Sequence, residues 1–332
     1  MSSDPVVLGL DVGGTKVAVG AVVGAQVTHQ EESPTPLTDA QALLDGIEST
    51  ARRVIERVGE PAAIGVGVPS QIEHATGLVE SSVNIPLTGV PLRDELTRRF
   101  DLPVFIDNDA NCAALAEAQL VDEAPASGLV MLTLGTGVGG GVIIGGEIFR
   151  GAHGLGAELG HFTLDPEGPP CPGNCPGRGC LEAYCSGQAL ERDASEFARD
   201  MADSRLAEAL DEDGRVSGRA VVRLARDGDA DALRVFERFA RMLGVAIGGY
   251  VNVFEPEHVV IGGGLSRAAD LYFERAVDEA RSRALPALWR RVTVSLARGG
   301  AGAGVIGAGV LAAQGAARDT AQLRVESIEG AE

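Results

Sequence analysis

The chain has 332 residues, of which 45% are hydrophobic, enough for two domains on the usual prior of roughly 100–200 residues each. Its 47 acidic and 28 basic side chains give a formal net charge of −19, which argues against a nucleic-acid partner, because phosphates demand a basic footprint. No apolar run of about 18 residues is present and the opening M-S-S-D-P lacks a basic segment, so neither a membrane span nor a signal peptide is expected, and the chain reads as cytoplasmic.

Residues 6–10 form a short apolar run that ends in D-V-G-G-T-K (11–16) and continues as V-A-V-G-A-V-V. The pattern predicts a strand, a tight glycine turn and a returning strand. A helix is expected over 39–58, a buried strand over 63–69, a helix over 92–99, and a strand over 103–109 that runs into a helix over 110–119. This alternation implies an α/β fold. At residue 132 the plan starts again: L-T-L-G-T-G-V-G-G-G-V-I-I-G repeats the layout of residues 8–20, suggesting two like domains. Further helices are expected over 190–197 and 230–254, and a third glycine signal follows a strand in H-V-V-I-G-G-G-L-S (258–266). The last core helix is predicted over 304–317, with a frayed tail over 318–332. Lys16 is the single lysine, a bias that fits both GC-rich coding and adaptation to concentrated salt.

Glycine turns let backbone amides approach phosphate because no Cβ intervenes, and a threonine in the turn adds a hydroxyl donor. None of these turns matches a P-loop or a dinucleotide fingerprint, so a different nucleotide site is indicated, with tightened packing as the plainer reading. Asp11 and Asp109 stand at the carboxyl ends of apolar strands, where ligands of α/β sheets collect, although Asp109 would also serve as a helix cap.

The segment 158–182 concentrates chemistry of another kind. It holds His161, Cys171, Cys175 and Cys180 among prolines and glycines, a donor set that can wrap a tetrahedral zinc ion. An odd total of five cysteines favours such a site in a reducing compartment over a disulfide framework. Glu158 and Glu182 flank the cluster, so a metal would fix two acceptors suited to a hydroxyl-rich ligand; otherwise they are solvated surface charges.

These motifs together resemble the ROK sugar kinases of the actin-like, hexokinase-type ATPase superfamily, from Val6 to about Ala317. The points of match are D-V-G-G-T-K, G-V-G-V-P, I-D-N-D-A-N, L-G-T-G-V-G-G-G, G-A-E-L-G-H, C…C-P-G-R-G-C-L-E and V-V-I-G-G-G. The resemblance implies two actin-like (ribonuclease H-like) α/β domains, over 1–120 and 121–303, with a cleft between them and a zinc-stapled loop over 161–180. It also implies that the 304–317 helix packs back on the first domain. It further implies an ATP- and Mg²⁺-dependent hexose kinase, with glucose as first acceptor and Asp109 as catalytic base. Asn84, Asn108, Asp109, Glu158, His161 and Glu182 would hold the sugar. Gly13, Gly14, Thr15, Lys16, Thr136 and Gly137 would embrace the phosphates, Gly263 and Gly264 would lie near the adenosine, and Asp11 would help place Mg²⁺. Zinc would be structural, held by His161, Cys171, Cys175 and Cys180, and a homo-oligomer, dimer or tetramer, is expected.

The chain departs from the family pattern twice. Cys171 and Cys175 are separated by three residues where the family has one, and Ser70-Gln71 follows the proline of G-V-G-V-P where Gly is usual. Fructose, mannose, allose or N-acetylmannosamine as acceptor and polyphosphate as donor remain compatible. A sugar-responsive repressor of the same fold would need a DNA-binding segment, for which the ten residues before Asp11 leave no room; a zinc-ribbon module would need a second cysteine pair.

Overall fold

A computed structural model of the chain describes residues 4–122, 124–172 and 175–329. β1 (Val7–Val12) and β2 (Lys16–Val23) form an antiparallel hairpin, and β3 (Gln26–Pro34) adds a further antiparallel strand. α1 (Ala40–Val58) starts at Asp39, whose carboxylate accepts the Ala42 amide at 2.8 Å, and buries Leu43, Leu44, Ile47, Ala51 and Val54 along one stripe. It stops at Gly59, whose φ of 87° strains any residue with a Cβ. β4 (Ile64–Val68) follows, then a small separate hairpin of β5 (Ser70–Glu73) and β6 (Leu78–Ser82), then α2 (Leu92–Phe100) and β7 (Val104–Asn108), which leads directly into α3 (Asp109–Leu120). The first sheet runs β3-β2-β1-β4-β7, with β1, β4 and β7 parallel.

β8 (Gly128–Leu134), β9 (Val138–Ile144) and β10 (Glu147–Ile148) begin the second sheet. A helical stretch follows: α4 (Glu182–Cys185), α5 (Gly187–Asp200), α6 (Arg205–Glu208), α7 (Gly218–Arg226) and α8 (Ala230–Phe254). β11 (His258–Gly262), α9 (Phe273–Arg283), α10 (Pro286–Trp289), β12 (Thr293–Leu296) and α11 (Ala303–Glu329) complete the chain. The sheet order is β10-β9-β8-β11-β12, with β11 parallel to both neighbours and β9–β10 antiparallel.

The chain divides into two compact units. One comprises Met1–Ser127, Gly141–Ala157 and Arg298–Glu332; the other comprises Gly128–Gly140 and Glu158–Ala297. The chain passes from one unit to the other inside β9. Two local causes are visible. Gly141 lies against Ala110 and Ala114 of α3, with 2.8 Å between a Cβ placed there and the Ala110 oxygen. The buried Glu117 carboxylate of α3 accepts the amides of Arg298 and Gly299 at 2.9 and 2.7 Å, which draws the segment ahead of α11 into the first unit.

In the first unit Leu8, Leu10, Val17, Val19, Ile64, Val66 and Ile106 pack with Leu43, Ile47, Leu92 and Leu96 on one side of the sheet. On the other side Val305 and Ala312 of α11 meet Val7, Ala18 and Val22. This approach needs Gly9 and Gly65, where a Cβ would collide with the Val305 and Ala308 carbonyl oxygens. α11 continues as far as Glu329. From Ala316 to Glu329 no glycine or proline interrupts it, and the Thr320 hydroxyl donates to the Ala316 carbonyl at 2.8 Å. In the second unit Phe236, Phe239 and Tyr272 form an aromatic cluster, with 4.8 Å between the centroids of Phe239 and Tyr272.

Candidate functional site

In the first unit the turn between β1 and β2 is closed by the Gly13 amide donating to the Lys16 carbonyl at 2.9 Å, and Thr35 braces it, its hydroxyl donating to the Gly13 carbonyl at 2.6 Å and its amide to the Thr15 carbonyl at 3.1 Å. Thr15 is exposed, and the carbonyl of Asn84, also exposed, lies beside Gly14. Lys16 is already engaged, its Nζ 2.7 Å from Glu32 Oε1 in an exposed ion pair that holds Glu32 below the usual carboxylate range. Asp11 lies against the first turn of α11, where a Cβ at 304 would meet its carboxylate and force it to shift. Burial pushes the Asp11 carboxyl up; Lys16 opposes that shift and Glu32 adds to it.

At the end of β7 the assignment of the helix cap is corrected. Asn108, not Asp109, is the N-cap of α3: its side chain accepts the Ala110 amide at 2.8 Å, while Asp109 is the first helical residue, its own Oδ1 2.9 Å from the same amide. Beneath them is a buried carboxylate that the sequence did not single out. Asp107 receives Arg150 Nε at 2.7 Å on Oδ2, and Asn111 Nδ2 at 2.7 Å and the Asn108 amide at 2.8 Å on Oδ1. With both partners of the Asp107–Arg150 pair largely removed from water, this network fixes the backbone from which Asn108 and Asp109 project.

In the second unit the turn joining β8 to β9 has its own fastenings. The Gly135 amide donates to the Gly137 carbonyl at 2.9 Å, and the Gly187 amide at the start of α5 donates to the Gly135 carbonyl at 2.8 Å. Glu182 Oε2 accepts the Val138 amide at 2.7 Å. Thr136 and Gly135 line a cavity of about 930 Å³ together with Gln188, Glu191, Arg223 and Gly264, a volume within the range of small-molecule sites. Gly263, at φ 84°, lies against the Leu134 carbonyl and carries the chain from β11 into the cavity wall.

His161, Cys171, Cys175 and Cys180 are brought together, each offering a ligand atom within 4.8 Å of the others. Tetrahedral zinc at about 2.3 Å from sulfur needs sulfurs about 3.8 Å apart, so the group could close on zinc with a contraction of at most about 1 Å. His161 presents Nδ1, 3.4 Å from Cys171 Sγ, which leaves Nε2 on the opposite edge of the ring. Chain bridges at Thr163–Cys180 and Pro170–Arg178 shape the loop, and the Gly177 amide donates to Cys175 Sγ at 3.3 Å. Burial pushes the Cys171 and Cys180 thiols up, the cost that a bound cation would reverse. Gly173 and Asn174, which make the loop longer than the family spacing, lie outside the described residues. Cys112 and Cys185 lie apart from the cluster, fully buried, with their thiols pushed well up by that burial. Glu158 is exposed and immediately precedes the 3-10 turn that carries His161, and the Tyr250 hydroxyl anchors this turn by donating to the Leu159 carbonyl at 2.5 Å.

Residues 7–315 match the pattern of the ROK family. The chain belongs to the ROK family. It is 37% identical over 319 residues to a glucokinase of Halalkalibacterium halodurans, covering 94% of this chain and 96% of that protein. An N-acetyl-D-glucosamine kinase of Haemophilus influenzae is 31% identical over 318 residues, 91% of this chain and 98% of that protein. Among solved structures, a ROK hexokinase of Thermus thermophilus superposes with a TM-score of 0.82 at 36% identity, covering 92% of this chain and 97% of that one. A ROK family glucokinase of Streptomyces griseus, solved with glucose and AMPPNP, gives 0.75 at 32% identity over 93% of this chain and 99% of that one.

Two groups in this ROK chain escaped the sequence. Arg150 is 43 residues from Asp107 and sits in no recognisable motif, so only folding reveals the pair. The side chains of the 930 Å³ cavity, Gln188, Glu191 and Arg223, come from helices whose periodicity identifies a buried face but not a ligand-facing one. For Asp107 a signal existed: the β7 strand enters I-D-N-D-A-N with Ile106 inward, yet Asp107 is also buried, so strict alternation misleads.

Proposed function

We propose that this ROK protein is an ATP- and Mg²⁺-dependent hexose kinase, with glucose as its first acceptor and the 6-hydroxyl as the reacting group. The observation that carries this reading is Asp109 at the first position of α3, beside its cap Asn108 and above the buried Asp107–Arg150 pair. A carboxylate so held is suited to take the hydroxyl proton as phosphoryl transfer proceeds. Mg²⁺, bound with the nucleotide and helped by Asp11, would neutralise the departing phosphates. The turns at Gly13–Lys16 and Thr136–Gly137 supply backbone amides for the phosphates, and Gly264 borders the cavity suited to the adenosine. Asn84, Asn108, Glu158, His161 Nε2 and Glu182 Oε1 are the sugar ligands in this reading, with zinc on the cysteine side of His161 keeping the loop in shape. Glu182 Oε2 is excluded from that role by the Val138 amide.

The glucokinase and N-acetyl-D-glucosamine kinase among the relatives support a sugar acceptor. The deciding experiment is a coupled ADP-release assay with glucose, fructose, mannose, allose, N-acetylmannosamine and N-acetylglucosamine, run with ATP and with polyphosphate. Glucose and ATP are expected to give the highest kcat/KM. Tight glucose binding with no turnover for any pair would instead favour a sugar-responsive regulator.

A further inference from the structure

The His161–Cys171–Cys175–Cys180 cluster and the Gly135–Val138 turn are joined through one carboxylate. Glu182 follows the cluster residue Cys180 by two positions and opens α4. Its Oε1 lies 3.9 Å from Cys171 Sγ, and its Oε2 accepts the Val138 amide at 2.7 Å. A Cβ on Gly137 would meet the same oxygen, so a side chain there would push this carboxylate off the turn. Five residues further on, Gly187 donates to the Gly135 carbonyl at 2.8 Å, so the segment leaving the cluster grips the turn at both ends.

A glycine-rich turn has wide conformational freedom, and amides that are to meet a phosphate need a fixed direction. A charged acceptor on Val138 restrains the turn from one side, and the position of that acceptor is set by the loop that the cysteines close. We propose that Glu182 is a positioning residue for the nucleotide turn, so that metal in the His161–Cys171–Cys175–Cys180 cluster governs donor affinity and not sugar affinity alone. This rests on the kinase reading above for its nucleotide, and on geometry alone for its link between cluster and turn.

The test uses the full-length zinc-loaded protein, Glu182→Ala, Glu182→Gln, and wild type stripped of metal by a chelator. Amide exchange is followed in peptides covering 132–140, and binding of Mg·AMP-PNP is followed by calorimetry. Glu182→Ala should keep one zinc per chain, exchange its Val138 amide at least about tenfold faster and bind AMP-PNP about tenfold more weakly, as expected for losing a bond to a charged acceptor. Glu182→Gln, whose amide oxygen can still accept, should recover most of both while its sugar KM rises. Stripped wild type should resemble Glu182→Ala in both readouts. If Glu182→Ala does not fold, Glu182→Asp, one methylene short of Val138, must show the same weakening. AMP-PNP affinity within twofold of wild type in the Ala or Asp variant, unchanged Val138 exchange, or no recovery in Glu182→Gln would overturn the proposal. Failure of wild type to bind AMP-PNP would sink the kinase reading instead, and the exchange data would then decide alone whether Glu182 couples cluster and turn.

Discussion

Asp109 and Asp11 are both strand-end carboxylates, yet their surroundings assign them different physics. Asp109 opens α3, its own Oδ1 2.9 Å from the same Ala110 amide that Asn108 caps, so its carboxylate is held at the helix start. Replacing it by Asn keeps the size and removes the proton acceptor; turnover should fall by about 10²–10⁴ while calorimetric sugar affinity is largely retained. Near-wild-type kcat would assign the base elsewhere. Asp11, by contrast, is penalised when charged because burial raises its pKa. Its contribution to stability is therefore most favourable below the unfolded carboxylate value and is lost as pH rises through the raised folded value. Asp11→Asn should therefore melt higher than wild type, by the equivalent of about 0.5–2 kcal/mol, a gain present above that window and shrinking toward pH 4. Mg²⁺-dependent turnover should be lost. Parallel melts across pH 4–8 check the sign, and a destabilised variant at pH 7 would show that the carboxylate is favourably held.

At the scale of elements, α11 and the cysteine loop are the parts whose geometry leaves least room. A Cβ at residue 307 of α11 would strike the Cys112 carbonyl in α3, a backbone atom that cannot rotate away. Gly307→Ala should cost about 1–3 kcal/mol, read as a lower urea midpoint with an unchanged m-value. A neutral result would mean that the two helices separate without cost. In the loop, Cys175→Ser should lose zinc in elemental analysis and raise the sugar KM, because Glu158 and Glu182 lose their common support. Cys185→Ser lies outside the cluster, its thiol 3.5 Å from the Phe239 carbonyl, and should keep both metal and activity. Absence of zinc from the purified wild-type chain would show that the longer Cys171–Cys175 spacing has abolished the site.

Over the whole molecule the net charge of −19 is the dominant long-range term. Many of the arginines are spent in exposed pairs such as Arg52–Glu48 and Arg226–Asp270, each worth little, so the excess of carboxylates repels itself in the compact state. Screening shortens from about 30 Å at 0.01 M salt to about 8 Å at 0.15 M. The melting temperature should therefore rise with sodium chloride over this range, measured by scanning calorimetry; a flat or falling trend would indicate that ion pairs outweigh repulsion. No helix among the described residues is long and apolar enough to cross a membrane.

Much of the chain was legible because its signals are local. An N-cap at Asp39, the apolar runs before each glycine turn and the ligand types gathered over 158–182 act through neighbours in sequence, so α1, β1, β4, β7, α8 and the His/Cys cluster could be read directly. The exposed alternation of β3 and the short β5, β6 and β12 were missed, since four to nine residues of mixed polarity lack a decisive period. Local chemistry pointed to Asp109 as a cap of α3, one residue past the actual cap, Asn108. Tertiary structure decided the rest. It selected Asn108 as the cap, buried Asp107 against Arg150, drew 141–157 into the first unit and turned one oxygen of Glu182 onto Val138. The Asp107–Arg150 and Glu182–Val138 contacts join residues more than 40 positions apart, and burial of this kind exists only once the chain has packed.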